Sequence, residues 1–304
     1  MATLLQLVNQ AQREMGLTVT SAVAASTVTD VVQQLGLINA VGYELTQEKD
    51  WQRLTKEYRF PMVFYTYTGD LTNGSTTVSN MSSTTGLTST PTYFSVTGGG
   101  VQQDTYLTAA GGGTVTLGLP AQADGTTVSL TFTQTLYPMP SDYDRLVDKT
   151  DWDKSMHWEM LGPETGQQWQ WLKSGFIATG PRMRFRQLGG FFQVWPPSGV
   201  DDLLGFEYVS QNWVLATADV ITPTKTAFTV DTDTCVFQDR LMVLGLKHKY
   251  FQVKGFGDIY RDEYMDQLSR AKTYEAGSPT LSMAPRLTEY LITQQNIPDS
   301  GYGN

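Results

Sequence analysis

Thr127-Val128-Ser129-Leu130-Thr131-Phe132 alternates hydroxyl-bearing and apolar side chains along its whole length. A period of two puts one kind of side chain on each face of a strand, and β-branched residues suit the pleated backbone. Val63-Phe64-Tyr65-Thr66-Tyr67, Thr92-Tyr93-Phe94-Ser95-Val96 and Thr114-Val115-Thr116-Leu117 repeat the pattern upstream. Asn73-Gly74-Ser75-Thr76-Thr77 and Gly98-Gly99-Gly100 punctuate them as turns. Several short strands between turn signals predict a small all-β module over 61–136. This stretch holds no Lys or Arg and three acids, Asp70, Asp104 and Asp124. A low-complexity loop would lack the regular alternation, so a folded, β-sandwich-like insert is expected. Asn73-Gly74-Ser75 and Asn80-Met81-Ser82 match glycosylation acceptors and, with no secretory signal in front, read as turns.

Outside this stretch the period changes. Residues 3–60 read as helical. Leu4, Val8, Ala11 and Met15 recur at helical spacing, and Gly16 suits a left-handed C-cap. A second helix is expected from Thr29 to Asp50, with a stripe of Val28, Val31, Val32, Leu35, Ile38, Gly42 and Leu45. Ser26-Thr27-Val28-Thr29-Asp30 would supply its capping oxygens. After Tyr137 a short helix is expected at Gln167–Lys173, then strands at Arg182–Arg186, Phe191–Trp195 and Leu203–Val209. Gly189-Gly190 and Pro196-Pro197-Ser198-Gly199 would turn between those strands. Two further helices follow, Cys235–Lys254, opened by Asp233 and closed by Gly255, and Ile259–Ala276. Residues 279–304 carry Pro279, Pro285 and Pro298 and read as an extended arm. The expected fold class is α+β. Two N-terminal and two C-terminal helices would pack as a bundle with a small antiparallel sheet, forming a body from 1–60 and 137–278.

Composition bounds the function. The chain has 304 residues, 40% hydrophobic, 12% aromatic and 17% charged, too apolar for a disordered protein. Lys and Arg number 21 against 30 Asp and Glu, for a net charge of -9. That balance argues against general nucleic-acid binding through a basic patch. Cys235 is the only cysteine, which rules out a disulfide framework and a thiolate zinc site. No run of about 18 apolar residues exists, so a soluble, membrane-free protein is expected, in a cytoplasm-like place or in a particle built there.

Chemistry-bearing residues are few. His248 lies on an apolar helix face and reads as a hydrogen-bonded core or interface histidine. His157, beside Glu159, matches no zinc spacing. The glycine triplets 98–100 and 111–113 lack the Lys-Ser or Lys-Thr of a phosphate loop. Asp142, Asp144, Asp148, Asp151 and Asp153 lack the Gly and closing Glu of a calcium loop and read as a solvated acidic face. No catalytic, cofactor or metal residue is therefore assigned, and a non-enzyme is expected. Trp51, Trp152, Trp158, Trp169, Trp171, Trp195 and Trp213 all lie outside the insert, as core residues, as interface anchors or in a ligand groove.

An ordered set of short motifs remains. Asp50-Trp51-Gln52-Arg53-Leu54 is followed by Tyr137-Pro138-Met139-Pro140-Ser141-Asp142-Tyr143-Asp144-Arg145-Leu146, then by Gly162-Pro163 and Gln168-Trp169. Phe185-Arg186, Gly189-Gly190, Trp195-Pro196-Pro197, Phe206-Glu207-Tyr208-Val209-Ser210, Asp231-Thr232-Asp233 and Leu244-Gly245-Leu246-Lys247 complete it. That order resembles the head-to-tail adaptor proteins of tailed bacteriophages, the tail tubular protein A and portal-docking class, over roughly 1–60 and 137–276. The resemblance implies a non-enzymatic virion protein of the neck, assembled in the host cytoplasm. It implies a ring of twelve copies that docks on the portal protein, extends the DNA channel without binding DNA specifically, and carries the tail nozzle or tube and the fibres. The insert departs from the shorter members of that class. Two competing readings are a tail-tube or baseplate subunit and a carbohydrate-binding tail protein. In the adaptor reading, Leu287, Tyr290, Leu291 and Ile297 anchor the C-terminal arm on a neighbouring subunit or the portal.

Overall fold

The computed structural model describes residues 1–87, 94–174, 182–217, 219 and 221–275. Among them the chain is a mixed α+β protein of five helices and several small, mainly antiparallel sheets. The helices are α1 (Leu4–Glu14), α2 (Thr29–Glu48), α3 (Gly166–Lys173), α4 (Asp239–Val253) and α5 (Arg261–Tyr274). Helices α1 and α3 both open on a capping box, Thr3 with Gln6 and Thr165 with Gln168. Gly16, at φ +71°, ends the first turn after α1.

Helices α2 and α4 depart from expectation at their starts. The N-cap of α2 is Val28, whose side chain offers no acceptor. Ser26 Oγ instead accepts from the Val28 amide, and Asp30 is committed to Tyr250 on α4 and to Lys254 just after it. The buried stripe of α2 is Val31, Gln34, Ile38, Val41, Gly42 and Leu45, whereas Val28 and Val32 face outward. Gln34 displaces them because its amide is satisfied inside, bonding Gln12 at 2.8 Å and Asp30 at 2.9 Å. Helix α4 starts at Asp239, not Cys235, because Thr234–Cys235 pairs as a strand with Val214–Leu215. Asp233 is spent on the preceding turn, where it accepts from the Thr229 and Val230 amides and pairs with Lys225.

Helices α1, α2, α4 and α5 contribute Leu4, Leu7, Ile38, Leu45, Leu241 and Leu268 to one buried cluster. Two glycines permit the approach. A Cβ on Gly42 would lie 2.2 Å from the Trp213 ring, and one on Gly245 would lie 2.6 Å from Val41. Ion pairs Lys249–Glu44, Lys254–Asp30 and Lys272–Glu48 tie α4 and α5 to α2 along its length.

The sheet after Tyr137 differs from the three-strand reading. Arg184–Leu188 and Phe191–Trp195 form the expected hairpin, turned by Gly189 and Gly190 at φ +56° and +83°. Its other edge partner is Leu136–Pro138. Leu203–Ser210 leaves the hairpin and pairs with Thr55–Pro61, from the stretch read as helical, and with Tyr143–Leu146 and Trp152–Asp153. Pro196 and Pro197 lack amide donors and break the run between Trp195 and Leu203, so no second hairpin forms. Between these sheets Phe185, Phe192 and Phe206 stack at centroid distances of 4.9 and 4.8 Å.

Within 61–136, Phe64–Leu71 and Phe94–Gly98 flank Gly125–Gln134, and Thr77–Val78 and Leu107–Gly111 flank Thr114–Leu117. Both sheets supply one buried cluster that includes Leu71, Val78, Phe94, Leu107, Leu130 and Phe132. The segment's ends lie side by side, with the Gln134 amide on the Val63 carbonyl at 2.8 Å and the Val63 amide on Tyr137 Oη at 3.0 Å. It meets the rest of the chain where Thr133 Oγ1 donates to the Ser198 carbonyl and Lys173 pairs with Asp104.

Candidate functional site

The anchors named on the arm, Leu287, Tyr290, Leu291 and Ile297, lie outside the described residues, which end at Glu275. The approach to that arm is described. Helix α5 packs through Tyr264, Leu268 and Ala271, and its last turn closes on Trp51, Phe237 and Leu241. Arg53 reaches Glu275 there at 3.4 Å beside a cavity of about 30 Å³, room for one water.

At the opposite end of α5 the turn from α4 carries an apolar rim. Val253, Phe256 and Ile259 are each more than half exposed, with relative exposures of 56%, 65% and 61%. Exposing large apolar side chains to water is unfavourable, and three of them at the end of α4 and the turn after it are of the kind that marks interfaces. Ring contacts lie beneath Phe256. Phe251 packs between Phe256 and Tyr260 at 5.8 and 5.3 Å, and Lys247 sits 3.9 Å above the Tyr260 ring. Lys247 is almost fully buried and pairs with Glu14 at 2.8 Å. Partial burial pushes the Glu14 carboxyl up, but hydrogen bonds from Lys247 and Arg240 outweigh it and bring it to about 2. Val32 and Tyr43 add exposed apolar surface on the outer face of α2. Sequence reasoning missed the rim because it searched for buried stripes. Its signal is the apolar residues in Val253-Lys254-Gly255-Phe256-Gly257-Asp258-Ile259, which no helical period can bury.

Of the acidic residues read as a solvated face, Asp148 is exposed, but the others are partly or fully buried. Asp142 accepts from Tyr208 Oη at 2.8 Å, Ser210 Oγ at 2.7 Å and Lys56. Asp144 pairs with Arg145, and Asp153, buried, accepts from the Ser155 and Met156 amides. Asp151 is also buried, and its Oδ1 has no partner among the described residues. Burial pushes its carboxyl up to about 7, with Asp148 and Glu159 adding to the rise. No group of three metal-ligating side chains forms among the described residues.

His248 stacks on Tyr264 at 5.8 Å, and its buried Nδ1 has no hydrogen-bond partner among the described residues, unlike the hydrogen-bonded histidine expected. His157 is exposed at φ +57°. Of the tryptophans, Trp51, Trp169, Trp195 and Trp213 are buried, while Trp152 and Trp171 are exposed. Cys235 is fully buried, and burial pushes its thiol up to about 12, leaving it without nucleophilic character near neutral pH.

Two of the ordered motifs meet in space. Arg145 bonds Asp50 at 2.8 Å and the Thr46 and Lys49 carbonyls at 3.0 and 2.9 Å, closing the C-terminus of α2. Trp51 Nε1 donates to the Leu45 carbonyl at the same place. These residues join the α2 end to the sheet, a structural task. No helix of the described residues is long and apolar enough to cross a membrane. No protein-family model matches the chain, and no curated protein matches it.

Proposed function

We propose that this protein is a head-to-tail adaptor subunit of a tailed bacteriophage, assembling as a ring of twelve on the portal. In this reading α1, α2, α4 and α5 form a bundle beside the small sheets, and 61–136 is an inserted all-β module. Residues 279–304 are the docking arm, and the ring supports the nozzle and fibres and lets DNA pass without holding it. The protein is a structural component and not an enzyme.

The rim of Val253, Phe256 and Ile259 is the observation that carries the proposal. It is apolar, its Phe256 rests on the Phe251 ring, and its three side chains are exposed among the described residues, as a subunit contact requires. The ordered motifs and the acidic balance support the same reading, since a DNA conduit gains from weak phosphate affinity.

The test is electron microscopy of the purified protein mixed with portal rings, beside the variant Phe256→Asp with Ile259→Asp. Twelvefold density on the portal that the double variant fails to form is the expected outcome. Wild-type protein that leaves the portal bare would retire the adaptor reading.

A further inference from the structure

A second surface stands apart from the rim and from the arm. Strand Thr55–Pro61, strand Leu203–Ser210 and the hairpin of Trp152–Asp153 with Trp158–Glu159 enclose an open groove of about 350 Å³. Glu57, Lys149, Trp152, Lys154, His157 and Glu207 line it. That volume is at the lower end of small-molecule sites.

The backbone at the groove is unusual. Lys149 and His157 hold φ values of +62° and +57°, a region that L-residues occupy at a cost. Strained non-glycine residues gather where side chains must be presented in a fixed way, and here two of them line one groove.

One wall is already satisfied. Lys154 bonds Glu57 at 2.8 Å, and Glu57 also takes Arg59. The opposite groups are free. The side chains of Lys149, His157 and Glu207 make no hydrogen bond or ion pair among the described residues, while the Glu207 backbone is fixed by Val147 and Thr150. Trp152 is 41% exposed, and its backbone is paired to Glu159 and Gly205. The groove thus offers one aromatic face with free acceptors and donors around it.

Charge narrows the ligand. Glu57, Asp153 and Glu207 face two ammonium groups, Lys149 and Lys154, so the lining does not favour an anion such as a phosphate or a nucleic acid. A quaternary ammonium would need a cage of several rings, and a single tryptophan lines this groove. A neutral ligand with an apolar face and many hydroxyls fits all of these groups. We propose that the groove binds a neutral carbohydrate, one sugar ring stacked on Trp152 and its hydroxyls bonded by Glu207, Lys149 and His157.

The inference concerns binding. Hydrogen bonds from Arg59 and Lys154 hold the Glu57 carboxyl down to about 2, so it is a fixed acceptor with no proton to give a leaving group. The inference does not depend on the adaptor reading, since the groove shares no residue with the rim.

The test titrates the full chain with maltohexaose, cellohexaose, chitohexaose and mannohexaose, followed by calorimetry and saturation-transfer NMR, with heparin hexasaccharide as the anionic probe. Saturable binding of at least one neutral probe is expected. Trp152→Ala should weaken it about tenfold or more, and Trp171→Ala, which removes an exposed tryptophan on α3 outside the groove, should leave it unchanged. Melting curves that superimpose would show that both variants fold. The proposal is overturned if no neutral probe saturates the protein by about 5 mM, if Trp152→Ala binds as the parent does, or if heparin hexasaccharide binds more tightly than every neutral probe.

Discussion

The helices around α2 and the strands of 61–136 solve the same burial problem with different materials. Helices α2, α4 and α5 are laced together by Lys249–Glu44, Lys254–Asp30 and Lys272–Glu48, and their core joins residues from both halves of the chain. Segment 61–136 has no basic residue, and its buried cluster spans only Leu71 to Phe132. Two of its three acids bond backbone amides within the segment instead. Asp70 accepts from the Thr127 amide, itself at φ +55°, and Asp124 accepts from the Asn73 amide. Charge can therefore be absent where backbone pairing is nearly complete, because strands satisfy their polar groups within the sheet. Helices from distant parts of the chain have no such ladder between them, and ion pairs help to set their register.

The sharpest way to break this comparison is to hollow out one side. Phe132→Ala removes a fully buried ring and should cost about 4 kcal/mol, all of it in 61–136. Every tryptophan lies outside that segment, so the urea midpoint by tryptophan fluorescence should stay in place. Amide exchange should meanwhile accelerate in Phe64–Leu71 and Gly125–Gln134. A fluorescence midpoint that falls with it would show one cooperative unit.

The converse substitution acts on the helices. Gly42→Ala places a methyl within the Trp213 ring volume and should cost about 3 kcal/mol by overpacking. Here the fluorescence midpoint should drop while exchange in 61–136 is unchanged. Equal acceleration in both regions would remove the distinction.

Acidity sharpens the comparison in two directions. Glu14 lies below its ordinary value, so its contribution is present above about pH 4.5 and is lost as pH falls toward about 2. Asp151 lies above its ordinary value, so it favours the folded state least at high pH, its penalty growing as pH rises from about 4 through about 7. Asp151→Asn should therefore gain about 1 kcal/mol at about pH 8 and nothing at about pH 4, measured by urea midpoints. A gain of the same size at both values would point to packing instead of charge.

The smallest effect expected is electrostatic and confined to the helices. Lys249→Ala and Lys272→Ala remove partly exposed ion pairs and should each cost about 0.5 kcal/mol, shrinking further at about 0.5 M salt. Exchange in the segment without basic residues should not respond to that salt change.

Much was legible from the residues alone. The alternation in Thr127–Phe132, the Gly189-Gly190 hairpin, the Gly16 stop and α5 all rest on local causes: a period, a turn dipeptide, a glycine that tolerates positive φ. The lack of charge in 61–136 and the single cysteine are also properties of the string. Thr55–Pro61 carried no local signal strong enough, because its strand state comes from Leu203–Val209, a partner far along the chain. Asp151 and Asp153 looked solvated, since adjacent carboxylates ordinarily are, until the hairpin at Trp152 buried them. The groove around Trp152 was illegible for the same reason. Trp152, His157 and Glu207 stood in the sequence as separate letters, and only the pairing of three distant strands makes them one surface. Local geometry depends on neighbours within a turn or two, so sequence by itself determines it. Sites and register depend on which distant backbones pair, and that is decided by the total burial of the folded chain.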